Sequence, residues 1–169
     1  PEATILVDGD TIVAVGPDVP IPADAVVLDM TGKTVIPGLV DVHAHLHYSS
    51  GDVLPESDWR YLVSLDFGVT TVHVMSGWGD FATFRRARAR NAMIARVYAF
   101  VPIATWRMLA DTVRALGRGD EWLRWGGLKG FMDGSLGSTT AAFFEPYLDA
   151  PDSRGLLVTD SAAMRRMIL

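Results

Sequence analysis

The run Ile36-Pro37-Gly38-Leu39-Val40-Asp41-Val42-His43-Ala44-His45 constrains this chain more than any other stretch. Pro37-Gly38 marks a turn. Leu39, Val40 and Val42 then make an apolar strand, residues 39–45, that ends in two histidines spaced i, i+2. Side chains two apart on a strand leave the same face. Both imidazoles therefore face one point, where a metal ion can take a nitrogen from each. Two histidines at the end of a mostly buried strand are costly unless something binds them. The plain alternative is a pair of satisfied core or surface histidines.

From Gly38 onward the pattern alternates strands with helices, which argues for an α/β chain with a parallel sheet. A helix is expected from near Pro55, a residue type suited to the first helical position, to Gly68, a helix-ending residue type. Residues 69–75 read as the second strand. Asp80 can cap a helix in which Phe81, Phe84, Ala87 and Arg88 recur at helical spacing. Residues 96–101 read as a third strand, 105–116 as a helix, 128–132 as a fourth strand and 160–169 as a final helix. Ahead of Gly38 lie two β-branched runs, residues 4–7 and 11–15, joined at Asp8-Gly9-Asp10, a hairpin signal. Residues 25–29 and 34–36 continue the β pattern, with Pro17, Pro20 and Pro22 in the loop before them.

Composition removes several function classes. The 169 residues carry a net charge of -5 and are 49% hydrophobic, an ordinary soluble composition large enough for one core. A mildly acidic chain does not support nucleic-acid binding, which wants a basic face. With no cysteine, disulfides and thiolate metal sites are impossible. No apolar run approaches the ~20 residues of a membrane helix. A cytoplasmic location is the default expectation, although the chain opens on Pro1 rather than Met.

The PG-LVD-HAH pattern resembles strand one of the amidohydrolase superfamily, metal-dependent hydrolases built on a TIM barrel. A second block runs from Gly127-Leu128-Lys129-Gly130-Phe131-Met132-Asp133-Gly134-Ser135 through Thr139-Thr140 to Glu145-Pro146-Tyr147. It resembles the amidohydrolase-3 branch, which includes N-substituted formamide deformylases. The resemblance implies the first half of a (β/α)8 barrel over residues 37–169, strands one to four. Residues 1–36 would be part of the small β-sandwich that such enzymes carry beside the barrel. A whole barrel typically takes about 250 residues, so the chain is expected to be a fragment.

By the same resemblance His43 and His45 would be ligands of a divalent metal, most simply zinc, as one or two ions. Asp41 has the same parity and would either orient a histidine ring or form part of the strand entry. His47 would contact substrate or be an exposed histidine with no role. His73, on strand two, would be structural or touch substrate; many relatives carry an Asp where this chain has Val74. Lys129 shares strand parity with Phe131 and Asp133, and a lysine on a buried strand is rare. Burial favours its neutral amine. The family's strand-four lysine often reacts with carbon dioxide to give a metal-bridging carbamate, and Lys129 matches its place. The alternative is a lysine paired with Asp133 or reaching to the barrel mouth. Asp133 and Ser135 begin a glycine-rich loop whose backbone could cradle substrate or simply turn. Relatives usually have Arg at the position of Thr139.

The implied activity is hydrolysis of a carbon–nitrogen bond other than a peptide link, in an N-substituted amide or formamide, by metal-activated water. The partners would be a small-molecule amide and, for a full-length enzyme, a homo-oligomer as one option; neither nucleic acid nor membrane is expected. The family's general base, an Asp on strand eight, and its ligands on strands five and six have no counterpart here, so residues 1–169 alone should be inactive. A non-catalytic fragment and a prolidase-like peptidase are the rival readings. The segment between strands one and two is shorter than the amidohydrolase-3 branch usually has.

Overall fold

A computed structural model describes residues 3–46, 58–75 and 77–169. The chain divides into two compact units, Pro1–Ile36 and Pro37–Leu169. In the first, β1 (Thr4–Asp8) pairs antiparallel with β2 (Thr11–Gly16). Asp8 faces Thr11, leaving a two-residue turn in which Gly9 takes φ 60°. Glycine at that first turn position lets the connection follow the twist of the ribbon. Residues 25–29 and 34–36, expected as strands, form none. Local turns hold them instead: Ala25 N–H donates to Pro22 O, Thr31 N–H to Asp29 Oδ1 and Lys33 N–H to Met30 O. A β-branched run becomes a strand only where a partner offers its ladder, and Val26 and Leu28 stay exposed.

The second unit is a four-stranded parallel sheet in the order β3-β4-β5-β6. Its strands are β3 (Leu39–Ala44), β4 (Val69–Met75), β5 (Arg96–Pro102) and β6 (Leu123–Lys129). Helices α1 (Trp59–Asp66), α2 (Trp78–Ala89) and α3 (Trp106–Leu116) connect successive strands, and α4 (Ser161–Ile168) follows a long excursion after β6. The expected start of the first helix near Pro55 lies outside the described residues. Its end agrees with expectation: Gly68 follows α1 with φ +80°. No helix among the described residues is long and apolar enough to cross a membrane.

Two local expectations need correction. Asp80 does not precede α2. It is the third helical residue, and its Oδ2 accepts the Gly77 N–H at 3.2 Å. From there it still satisfies a donor at the helix start and complements the helix dipole. The fourth strand occupies Leu123–Lys129, not residues 128–132. Gly126-Gly127 reads as a breaker, yet both residues lie inside the strand. Gly126 takes φ +138° where the β5–β6 register shifts, and a side chain at Gly127 would collide with the Phe100 ring. Asp120 fixes the strand's start, since its Oδ1 accepts the N–H groups of Trp122 and Leu123 at 2.9 and 3.0 Å. Its other oxygen binds Arg88 Nε at the end of α2 (2.8 Å).

The core lies on the helix-covered face of the sheet. Val72, Val74, Val97, Ala99, Val101 and Leu123 pack there with Tyr61, Phe81, Phe84 and Leu109. A barrel reading alone would put Val72 and Val74 on the inward face, but both are fully buried beneath helices. Register assigns the other face to Thr71, His73, Tyr98, Phe100, Gly127 and Lys129. That face is polar and aromatic where the helix face is aliphatic.

Phe84 has no exposed surface, so Phe84→Ala should cost roughly 3–5 kcal/mol in urea unfolding. Phe144→Ala, at a fully solvated ring, should stay within about 0.5 kcal/mol. A second prediction concerns acid. Asp58 caps α1, accepting the Arg60 N–H, and is gripped by the Arg60 guanidinium at 2.9 and 2.6 Å. That guanidinium outweighs desolvation and holds the carboxyl below its ordinary range. The contribution is therefore complete above the unfolded value near ~3.9 and is lost as pH falls through the lower folded value. Asp58→Asn keeps a capping oxygen but loses the charge paired with Arg60, and should cost up to about 1 kcal/mol at neutral pH. The gap to wild type in urea midpoints should close in strong acid.

Candidate metal centre

The β3–β4 ladder contains the irregularity that shapes the site. Asp41 is in register with Val72 and Ala44 with Val74, so Val42 and His43 together span the single residue His73. An extra residue of this kind re-aims side chains and is frequent beside active sites. It also takes Asp41 out of the alternation with His43 and His45 that the spacing predicts. Asp41 Oδ1 accepts the His43 backbone N–H at 2.9 Å, which pins the irregular turn of the strand rather than an imidazole. The strand itself ends at Ala44, one residue before His45.

The two imidazoles nonetheless converge. Their Nε2 atoms lie 3.0 Å apart, with ring centroids at 4.9 Å. Two ligand nitrogens each ~2.0–2.1 Å from one tetrahedral zinc would be about 3.3 Å apart. The pair thus fits one ion with a small adjustment.

Lys129, the last residue of β6, brings its Nζ to 3.4 Å from His43 Nε2. β3 and β6 are the two edges of the sheet. Three strand spacings of ~4.8 Å put such edges roughly 14 Å apart, and in a flat sheet their side chains rise in parallel without meeting. The contact therefore requires the sheet to curl, with His43, His45 and Lys129 on its concave side. The amine also stands 4.9 Å from the Phe131 ring centroid. The correction to β6 matters here: Phe131 and Asp133 lie beyond the strand, so they are not strand-parity partners of Lys129. No Lys129–Asp133 ion pair exists among the described residues.

Three nitrogens aimed at one point are an awkward hydrogen-bond set. Each close pair has room for only one hydrogen between its nitrogens, and a protonated imidazole beside an ammonium would repel it. An ion that accepts lone pairs relieves both problems. Among the described residues no group of three His, Cys, Asp or Glu side chains could hold a metal. Among the described residues the donor set at this point is therefore two imidazoles plus whatever Lys129 supplies.

The remaining expected site residues sit elsewhere. His73 is half-buried on the concave face, edge-on to Tyr98 at 5.2 Å and tilted against Phe100 at 5.9 Å. Asp133 Oδ2 accepts the Ala142 N–H at 2.9 Å, and its backbone bridges to Leu157. Ser135 Oγ meets Ser138 Oγ at 2.8 Å, and that oxygen meets Thr140 Oγ1 at 2.7 Å. Gly134 is required because a side chain there would collide with Thr140. This excursion is knitted to itself, and Thr139 holds a left-handed conformation (φ 57°) unusual for a β-branched residue. His47 lies outside the described residues. A depression of about 290 Å³ at the C-terminal ends of β4–β6 is lined by Lys129 with Met75, Pro102 and Thr159. Met75 and Pro102 escaped notice in the sequence, though their strand-end positions were the available signal.

Comparison with known proteins bears on this geometry. No family model matches the chain. Over 85 residues, 49% of the chain, it is 44% identical to Protein LONG AFTER FAR-RED 3 of Arabidopsis thaliana. It is 37% identical over 93 residues to an imidazolonepropionase of Geobacillus kaustophilus. It is 35% identical over 78 residues to a dihydroorotase of Mycobacterium tuberculosis. The matched parts cover half of this chain or slightly less and only 15%, 20% and 18% of those relatives. A solved metal-dependent hydrolase, uncharacterised, from Pyrococcus furiosus superposes on 69% of this chain and 26% of its own, with TM-score 0.54 and 28% identity. Together these likenesses support the amidohydrolase superfamily for a chain whose two histidines and lysine meet across a curled parallel sheet.

Proposed function

We propose that this chain carries part of the metal site of an amidohydrolase that cleaves carbon–nitrogen bonds other than peptide links, with N-substituted amides or formamides as substrates. The observation that carries the reading is the meeting of His43, His45 and Lys129, from opposite edges of the sheet, within 3.0 and 3.4 Å. In this reading the curled sheet is the first half of a (β/α)8 barrel, residues 37–169, and residues 1–36 belong to a β-sandwich. Active sites of such barrels lie at the C-terminal strand ends, where these three residues are. The post-β6 loop resembles that of the amidohydrolase-3 branch, to which we assign the chain.

His43 and His45 would hold a divalent ion through Nε2, with zinc the natural choice for imidazole donors. The ion, when bound, lowers the pKa of a water and polarises a carbonyl. Lys129 would serve as a carbamate, which turns a competing amine into an anionic oxygen donor. Asp41 keeps His43 in place through its backbone. His73, Asp133 and Ser135 are the nearest candidates for substrate contact, His73 through its ring on the concave face. A second reading, a non-catalytic chain, is favoured by the missing third His, Asp or Glu ligand among the described residues.

Competition with a chromogenic chelator should show zinc bound by the wild-type chain. His43→Ala and His45→Ala should each weaken it by more than about 100-fold, beyond the 10–100-fold typical of outer-shell partners. Lys129→Ala should weaken it too, and bicarbonate with a short carboxylic acid should restore part of the loss. Unchanged zinc affinity in either histidine variant removes the metal reading. Residues 1–169 with added zinc should hydrolyse N-substituted formamides no faster than buffer, because two imidazoles and one carbamate lack a general base. Turnover that disappears in His43→Ala would overturn that expectation.

A further inference from the structure

Away from the metal pair, three guanidiniums line one open cavity of about 610 Å³. They belong to Arg96, Arg118 and Arg124, and the walls include His73, Tyr98 and Trp125. The cavity sits over the N-terminal halves of β5 and β6, on the concave face. Glu121 is the single acid in its lining. None of the three arginines forms an ion pair among the described residues. Arg96 stacks on the Trp122 ring (5.0 Å), and Arg124 Nε donates to the Asp120 carbonyl (3.2 Å).

Arg118 is the informative member. It lies in the connection between α3 and β6, and its carbonyl accepts the Trp125 N–H at 3.2 Å, which fixes its backbone. A β-carbon built on Gly126 would stand 2.5 Å from Arg118 Nη1 and 3.4 Å from Tyr98 Oη. The glycine, held at φ +138° in the register shift of β6, is what lets the guanidinium lie beside the tyrosine hydroxyl. Arg118 has neither a hydrogen bond nor an ion pair through its side chain among the described residues. Gathering three cations against one carboxylate costs free energy that an anion offsets. A planar guanidinium fork matches a carboxylate with two parallel hydrogen bonds. His73 and Tyr98 lie side by side on the same face of the sheet, which suits a flat apolar body.

We propose that this cavity binds a small aromatic carboxylate, its carboxylate on Arg118 and its ring against Tyr98 and His73. The test is a calorimetric titration of benzoate into the 169-residue chain. Benzyl alcohol, a neutral compound of similar shape, is titrated at matched ionic strength. Benzoate should saturate and benzyl alcohol should not. Arg118→Gln should weaken benzoate at least ~10-fold, the size of a lost charge-assisted hydrogen bond. No saturable benzoate signal overturns the proposal, as does benzyl alcohol binding equally well or Arg118→Gln binding benzoate like the wild type. The two wild-type titrations decide the matter even if the variant fails to fold. None of these readouts involves zinc, so they stand or fall apart from the metal site.

Discussion

The meeting of Lys129 with His43 is the contact on which the rest depends. It joins residues 86 apart in sequence and three strands apart in the sheet. Such a contact exists only if the sheet curls, and curling has a structural cause. One face of the strands is aliphatic and covered by α1, α2 and α3, with Phe84, Tyr61, Val72 and Val74 fully buried. The other face carries His73, Tyr98, Phe100 and Lys129, larger and more polar groups that lean over a common space. Parallel sheets twist, and helices packed on one side carry that twist into a bowl. The inside of the bowl is where the chain's chemistry collects.

Glycine placement sets the details of that inner face. Gly127 admits the Phe100 ring, and Gly126 admits the Arg118 guanidinium. Without these two positions β6 would carry side chains where neighbouring groups now stand. The irregular register at Val42 and His43 plays the corresponding part on β3, with Asp41 holding the His43 amide. Both edge strands are thus deformed near the candidate site residues, and both deformations are tied down by hydrogen bonds.

Much of this was legible in the sequence. The spacing of His43 and His45, their position at the end of an apolar strand and the isolation of Lys129 within an apolar block all pointed to one site. Strands β3, β4 and β5 have clean apolar periods, and their extents differ from expectation by at most one residue. What failed has identifiable physical reasons. The fourth strand contains Gly126-Gly127 although a strand glycine normally weakens a ladder; here neighbouring side chains demand it. Residues 25–29 have strand-like composition but no partner strand within their unit. Alternation along β4 gives no means of telling which face the helices cover, and Val72 and Val74 lie under helices rather than on the inward side. The Arg118 cavity was invisible for a different reason: it depends on a backbone conformation at Gly126 and on a loop folding across β6, neither of which has a sequence period.

The central claim is that His43 and His45 share one metal ion. X-ray absorption at the zinc edge, on the chain loaded with one equivalent of zinc, tests it most directly. Two imidazole nitrogens at about 2.0–2.1 Å, with the outer-ring scattering of two histidines, are the expected result. The signal of one imidazole should vanish in His45→Ala. A spectrum with only oxygen neighbours, or one unchanged in His45→Ala, would contradict the claim.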